Sequence, residues 1–309
     1  VTVSAVVFAY HNVGVRCLQV LLAHKVDVKL VVTHRDSQNE NIWFESVERL
    51  ATLHRIPVVK PDDPNTLEFI AQIAALKPDF LFSFYYRMLL KPALLATATR
   101  GAFNMHGSLL PKYRGRAPVN WAIIKGETVT GATLHEMVEK PDAGRIVDQC
   151  AVPILPNDNA LEVFNKVTTS AEITLNRALP DLCEGTALMR AQDLAAGSYY
   201  GGRKPADGVI DWAKSATEIH NLIRAVAPPY PGATTHIAGN PITITKSLVA
   251  PAKFVHTNPG FVNVSSERVI ALCGDGRMLR ILAAELDGTT YDEHSLPALL
   301  GIGVHALAP

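Results

Sequence analysis

From residue 4 onward the chain alternates short apolar runs with stretches whose apolar residues recur every three or four positions. "SAVVFAY" (4–10), "VKLVVTH" (28–34), "IPVVKP" (56–61) and "FLFSFYY" (80–86) read as strands. Between them, "GVRCLQVLLAH" (14–24), "NIWFESVERLATLH" (41–54) and "NTLEFIAQIAALK" (65–77, opened by Asn65) read as helices. In the second of these, Ile42, Trp43, Val47, Leu50 and Leu53 fall close to the helical period. Strands that are apolar throughout, instead of at alternate positions, are buried on both faces. That is the signature of a mostly parallel, Rossmann-like sheet with helices on both faces. The pattern continues through "GAFNMHGSLLP", a helix over 117–127, extended segments over 131–139 and 145–154, and a long helix over 159–185.

Beyond residue 188 the pattern changes. "RAQDLAAGSYYGGRKPADG" is Gly-rich and irregular, and 189–207 reads as a linker between a catalytic domain (1–188) and a C-terminal domain (208–309). The latter has one helix, "SATEIHNLIRAVA" (215–227), the turn-rich "PPYPGA", and five short strands separated by turn signals. Such spacing predicts a small barrel.

Composition narrows the function classes. The 309 residues are 48% hydrophobic and 19% charged, with 29 Lys+Arg against 29 Asp+Glu. Zero net charge gives no field that favours nucleic acid, so no nucleic-acid partner is expected. No run reaches the ~18 apolar residues of a membrane span and no signal-peptide pattern is present, so the expectation is a cytoplasmic enzyme with no membrane span. The four cysteines, Cys17, Cys150, Cys183 and Cys273, form no C-x-x-C pair and read as reduced thiols. The opening loop "AYHNVG" lacks G-x-G-x-x-G, so a dinucleotide has no fingerprint to sit on.

Candidate chemistry concentrates in "GAFNMHGSLLPKYRGRAP" (101–118). Asn104 and His106 are two apart on a strand, so both face one way near its carboxyl end, where open α/β sheets place ligands. An amide donor stabilises a developing oxyanion, and an imidazole beside it handles a proton. The same pair equally satisfies a loop's backbone groups. Asp142, in "EKPDAGR", would orient the His106 ring and favour its protonated form, yet D-A-G is also good turn chemistry. Ser108 in "HGSLL" lacks the G-x-S-x-G elbow of a hydrolase, and His106, His135 and Asp142 lack metal-ligand spacing. No metal is expected, and His135 reads as a packed or rim residue. Lys112, Arg114 and Arg116 follow the strand, with Arg203 and Lys204 in the linker. These cations suit a solvated loop or, beside a site, the phosphates of a ligand.

"FNMHGSLLPKYRGRAPVNWAIIKGE", "GATLHEMVEKPDAGRIV" and "FSFYYRMLL", with "PPYPGA" further on, resemble the 10-formyltetrahydrofolate-dependent formyltransferases over residues 4–280. Within that family they look like the formyltransferase half of the bifunctional polymyxin-resistance enzyme that acts in lipid A modification. The dehydrogenase half of that enzyme has no counterpart up to residue 309, which implies a stand-alone enzyme or an isolated domain. The resemblance implies formyl transfer from 10-formyltetrahydrofolate, as co-substrate, to the 4-amino group of a UDP-amino sugar, with UDP-4-amino-4-deoxy-L-arabinose first. Methionyl-tRNA formylation is the alternative. It further implies Asn104 as oxyanion donor, His106 as proton-transfer residue and Asp142 as its partner. Folate contacts would fall on Met88, Leu89, Leu90, Arg116, Val138, Glu139, Lys140 and Pro141, and the sugar nucleotide on Arg114, Arg203 and Arg224. Met88 departs from the histidine frequent at that position. The C-terminal part would be an OB-like barrel.

Overall fold

The computed structural model describes residues 3–37, 41–253 and 260–308. Two compact units emerge. One comprises Val1–Pro118, Val129–Pro153 and Asn165–Gly201, and the other Val119–Thr128, Ile154–Phe164 and Gly202–Pro309.

The chain opens with β1 (Ser4–Ala9), α1 (His11–Ala23), β2 (Asp27–Val32), α2 (Val47–Leu53), β3 (Val58–Val59) and α3 (Leu67–Ala75). It continues with β4 (Phe80–Phe84), α4 (Pro92–Leu95), β5 (Gly101–His106), β6 (Arg114–Gly115) and α5 (Pro118–Ile124). Then come β7 (Val129–Glu136), β8 (Ile146–Pro153), α6 (Ala160–Glu184) and β9 (Tyr199–Tyr200). The main sheet has the order β3-β2-β1-β4-β5-β7-β8. Pairing is parallel from β3 to β5 and antiparallel at β5–β7 and β7–β8. This is the Rossmann-like layout that the apolar strands predict.

All six residues of β1 are buried, because it lies between β2 and β4 and is covered on both faces. Val6 and Phe8 share one core with Leu30, Val32 and Leu81 from the neighbouring strands and with Phe69 and Ile73 of α3. Each such side chain contributes roughly 1.5–3 kcal/mol by leaving water.

Several element bounds differ from the periodicity. The helix expected over 41–54 spans only Val47–Leu53. Ser46 accepts from the Arg49 N–H (3.2 Å) and starts it there, while Trp43 and Phe44 pack on the His11 ring at 4.5 and 3.9 Å between centroids. Likewise α3 is capped by Thr66, whose Oγ1 accepts from the Phe69 N–H (3.3 Å), and not by Asn65. The extended segment expected to run to residue 139 stops at Glu136. A sharp turn follows, in which a Cβ on Gly144 would overlap the Glu136 carbonyl. The stretch 189–207 contains β9, which pairs with β6.

The second unit carries α7 (Ala216–Val226), β10 (Ala233–Ile237), β11 (Asn240–Lys253), β12 (Phe261–Val264) and β13 (Val269–Leu272). It ends with β14 (Arg277–Leu286), β15 (Thr289–Asp292), α8 (Leu296–Leu300) and β16 (Gly303–Ala308). Six antiparallel strands close in the order β11-β10-β16-β12-β13-β14, with β14 pairing back to β11 and β15 flanking β14. This is the OB-like barrel. A capping box between Ser215 and Glu218 starts α7. The apolar side of that helix, Ile219 and Ile223, joins the barrel core.

Candidate active site

The site grows from one register. On β5, Asn104 and His106 share a face, and on the antiparallel neighbour β7 the residue opposite Asn104 is His135. Asn104 Nδ2 lies 3.1 Å from His135 Nε2, while His135 Nδ1 donates to the Glu136 carbonyl (2.8 Å). His106 Nε2 donates to the Tyr113 carbonyl (2.8 Å). The β7–β8 turn brings Asp142 to both rings. Its Oδ1 is 3.6 Å from His106 Nδ1 and 3.5 Å from His135 Nε2, and its Oδ2 accepts from the Gly115 N–H (2.8 Å).

Burial by itself would raise the Asp142 pKa. The attraction of His106, the bond and charge of His135 and the Gly115 N–H outweigh it and hold the carboxyl well below the usual range. Asp142 is therefore an anion at neutral pH, enclosed and paired. Its backbone has φ 54°, the left-handed region that Asp tolerates better than most residues.

A cleft of about 280 Å³ adjoins this cluster. Asn104, His135 and Asp142 line it, together with Met88, Leu89, Leu90, Arg116, Val138 and Pro141 from the expected folate set. Glu139 and Lys140 are exposed and do not line the cleft. His106 is 6% exposed and does not line the cleft; Asp142 stands between the two. The rim at 88–90 is braced by Asn65, which donates to the Leu89 carbonyl (3.0 Å) and accepts from the Lys91 N–H (2.7 Å).

The remaining cations separate. Arg116 reaches the cleft, and its N–H donates to the Tyr200 carbonyl (2.9 Å). Arg114 is buried, and its Nε has no hydrogen-bond partner among the described residues. Lys112 and Lys204 are exposed. Arg203 and Arg224 belong to the second unit. Arg203 donates to the Asp207 carbonyl (2.9 Å) and sits over the Trp121 ring. Arg224, buried, donates to Asn221 Oδ1 (3.0 Å) and to the Asp158 carbonyl (2.9 Å).

Ser108 is fully buried and donates to the Lys112 carbonyl (2.6 Å), a tie within the loop and not a nucleophile. All four cysteines are free thiols. Burial pushes Cys17 above the usual thiol range and Cys273 up to about 12, so neither is a ready nucleophile. Among the described residues no group of three His, Cys, Asp or Glu side chains could hold a metal ion, and no helix is long and apolar enough to cross a membrane.

The sequence did not single out His135 as a site residue, nor Tyr86 and Tyr199, which also line the cleft. His135 had one available signal, since alternation along β7 puts it on the Thr133 face. Its partner Asn104 becomes visible only through the β5–β7 register.

The sequence model of the formyl transferase family matches residues 15–179, and that of the formyl transferase C-terminal domain matches residues 203–291. The chain belongs to the formyl transferase family. It is a formyltransferase, with the family's catalytic part and its C-terminal domain in one chain. Solved structures share the fold of this formyl transferase. The N-formyltransferase of Helicobacter canadensis, in complex with folinic acid and dTDP-3-aminofucose, is 23% identical (TM-score 0.73) and covers 91% of this chain and 99% of its own. WlaRD, a sugar 3N-formyl transferase with dTDP and 5-N-formyl-THF, is 21% identical (TM-score 0.70) over 91% and 97%. HypX from Aquifex aeolicus in complex with tetrahydrofolic acid is 16% identical (TM-score 0.63) over 94% of this chain and 46% of its own.

Proposed function

We propose that this formyltransferase moves a formyl group from 10-formyltetrahydrofolate to the amino group of a nucleotide-linked sugar, with UDP-4-amino-4-deoxy-L-arabinose as the acceptor. The observation that carries this reading is the meeting of Asn104, His135 and Asp142 at a cleft whose rim includes residues 88–90 with Met137, Val138 and Pro141. A flat pterin fits such a rim, because backbone N–H and C=O groups match its ring edge without adding charge. The solved relatives, one with folinic acid and dTDP-3-aminofucose and one with 5-N-formyl-THF and dTDP, support a folate donor and a nucleotide-linked acceptor. The "FSFYYR" and "KYRGRAPVNW" stretches favour the UDP-sugar over other acceptors.

In this mechanism the neutral sugar amine attacks the formyl carbon, a C–N bond forms, and the carbonyl electrons move to oxygen. An Asn104 Nδ2–H donates to that oxyanion; an amide nitrogen carries two hydrogens, so its contact with His135 leaves one free. The attacking nitrogen loses its proton through the Asp142–His106 pair. The intermediate then collapses, breaking the bond to N10 of tetrahydrofolate, which takes up a proton. Asp142 stays ionised and holds both imidazoles in register. Arg116 meets the folate tail, whose glutamate is anionic. The partnerless Arg114 Nε supports a phosphate contact, since a buried guanidinium nitrogen without a partner is costly until an anion arrives.

The test offers 10-formyltetrahydrofolate with UDP-4-amino-4-deoxy-L-arabinose, dTDP-3-aminofucose or charged initiator tRNA and scores formyl product by mass. The UDP-sugar is expected to be formylated fastest, and His106→Ala to abolish the transfer. Formylation of the tRNA with no turnover of either sugar nucleotide overturns the reading.

A further inference from the structure

The segment 190–200, distant in sequence from Asn104, His106 and Asp142, is bonded to both loops that build their surroundings. At one end Arg190 and Ile146 exchange backbone hydrogen bonds (2.7 and 2.8 Å), which fixes the foot of the β7–β8 turn. Two residues on, the Gln192 side chain reaches the turn itself. Its Nε2 donates to the Asp142 carbonyl (3.1 Å) and to the Gly144 carbonyl (2.6 Å). At the other end, Ser198 Oγ accepts from the Tyr113 N–H (2.8 Å). The Ser198 and Tyr200 carbonyls accept from the Arg114 and Arg116 N–H groups (2.9 Å each). Tyr113 supplies the carbonyl that receives His106 Nε2, and Gly115, between Arg114 and Arg116, supplies the N–H on Asp142 Oδ2. One segment therefore holds the turn of Asp142 at one end and, at the other, the loop whose Tyr113 and Gly115 are the partners of His106 and Asp142.

We infer that Gln192 is a positioning residue of the formyl-transfer site, holding the Asp142 carboxylate in place through the two carbonyls of its turn. The inference rests on the catalytic reading of Asp142 given above. Asp142 lies in the turn between β7 and β8, outside their ladder, so its carbonyl needs a donor from elsewhere. A side-chain amide provides two N–H groups in one plane, which lets one residue satisfy two carbonyls two residues apart. Gly144 accommodates this closely folded turn because a Cβ there would strike the Glu136 carbonyl. Without Gln192 those two carbonyls lose their donor, the turn relaxes, and the carboxylate moves relative to His106, His135 and the Gly115 N–H. A displacement of that kind near a reacting centre costs rate far more than it costs binding.

Gln192→Met keeps length and removes both donors. It is expected to lower kcat about 10- to 100-fold with KM for folate and for acceptor each within about twofold. Amide exchange of Gly115 is expected to speed up while the β1 amides stay as in the parent protein. Should this variant fold poorly, Gln192→Glu preserves the shape and replaces a donor by an acceptor. It is expected to lose rate at neutral pH and to regain part of it in acid, where the protonated carboxyl donates to one carbonyl. An unchanged kcat in either folded variant, a loss confined to KM, or an unchanged Gly115 exchange rate overturns the inference. If the parent protein formylates no acceptor, the functional reading fails by itself, and Gly115 exchange still decides whether Gln192 holds Asp142.

Discussion

His106 and His220 are equally buried, each 6% exposed, but their neighbours differ in kind. His106 lies between a carbonyl and the Asp142 carboxylate, with a second imidazole, His135, on the same carboxylate. His220, in the barrel unit, donates from Nε2 to the Pro156 carbonyl (3.1 Å), and its Nδ1 takes the Ser247 hydroxyl (2.9 Å). Both partners are neutral and suit a neutral ring. Burial, and after it the nearby Arg224, lowers the His220 pKa, against the Pro156 bond that raises it. Burial alone does not mark a catalytic histidine. A charged partner that also borders a cleft does, because only that arrangement leaves a proton with somewhere to go.

The largest break of this contrast is Asp142→Asn. The amide keeps the shape and can still accept from Gly115, but it no longer attracts either imidazole. We expect kcat to fall about 10²–10³-fold, read by single-turnover formyl transfer. Because the carboxyl titrates lower in the folded protein than in the unfolded chain, it stabilises the fold above the unfolded value near ~3.9. That contribution is lost as the pH falls toward the folded value, so Asn also removes part of the acid sensitivity of the parent protein. A variant with parental kcat would dissolve the distinction between the two histidines.

His220 gives the same sign at a higher pH and a smaller effect. Its folded form resists protonation, whereas an unfolded imidazole titrates near ~6.5. Below that pH the unfolded chain therefore binds more protons, and stability declines as the pH drops, until it passes the folded value. Urea unfolding of the intact protein between neutrality and about pH 5 is expected to show that decline. In His220→Gln, where no proton is taken up, the slope should flatten while kcat holds. A parental slope in the variant would assign the acid sensitivity to other groups.

The residues differ in how far the sequence announces them. The strand signals and the N-x-H spacing were legible because a strand's period of two is local, and β1 and β5 appear where the apolar runs place them. The barrel was legible as short strands between turns. The contacts that complete the cluster were not. His135 meets Asn104 through an antiparallel register, and Gln192 meets Asp142 across 50 residues of chain. Neither distance is encoded in a motif. Trp43 misleads for a related reason, since it fits a helical period but packs on the His11 ring, just beyond the end of β1 and outside the helix.

Asn65 shows the same limit on a smaller scale and yields the mildest test. Its position before an apolar run reads as a helix cap, but Thr66 takes that role, and the Asn65 side chain spans the 88–91 loop. Asn65→Ala removes two hydrogen bonds from the rim and leaves the helix capped. Loss of one such bond is worth about 1 kcal/mol, enough to weaken a ligand held by that rim by roughly fivefold. The expected outcome is a several-fold rise in KM for 10-formyltetrahydrofolate, with kcat and the acceptor KM unchanged. The Asp142→Asn effect has the opposite form, in kcat with KM preserved, so the two variants together test separately the proposed roles of the 88–90 rim in holding folate and of the cluster in moving the proton. A rise in the acceptor KM alone would place the sugar nucleotide, and not the folate, on the 88–90 rim.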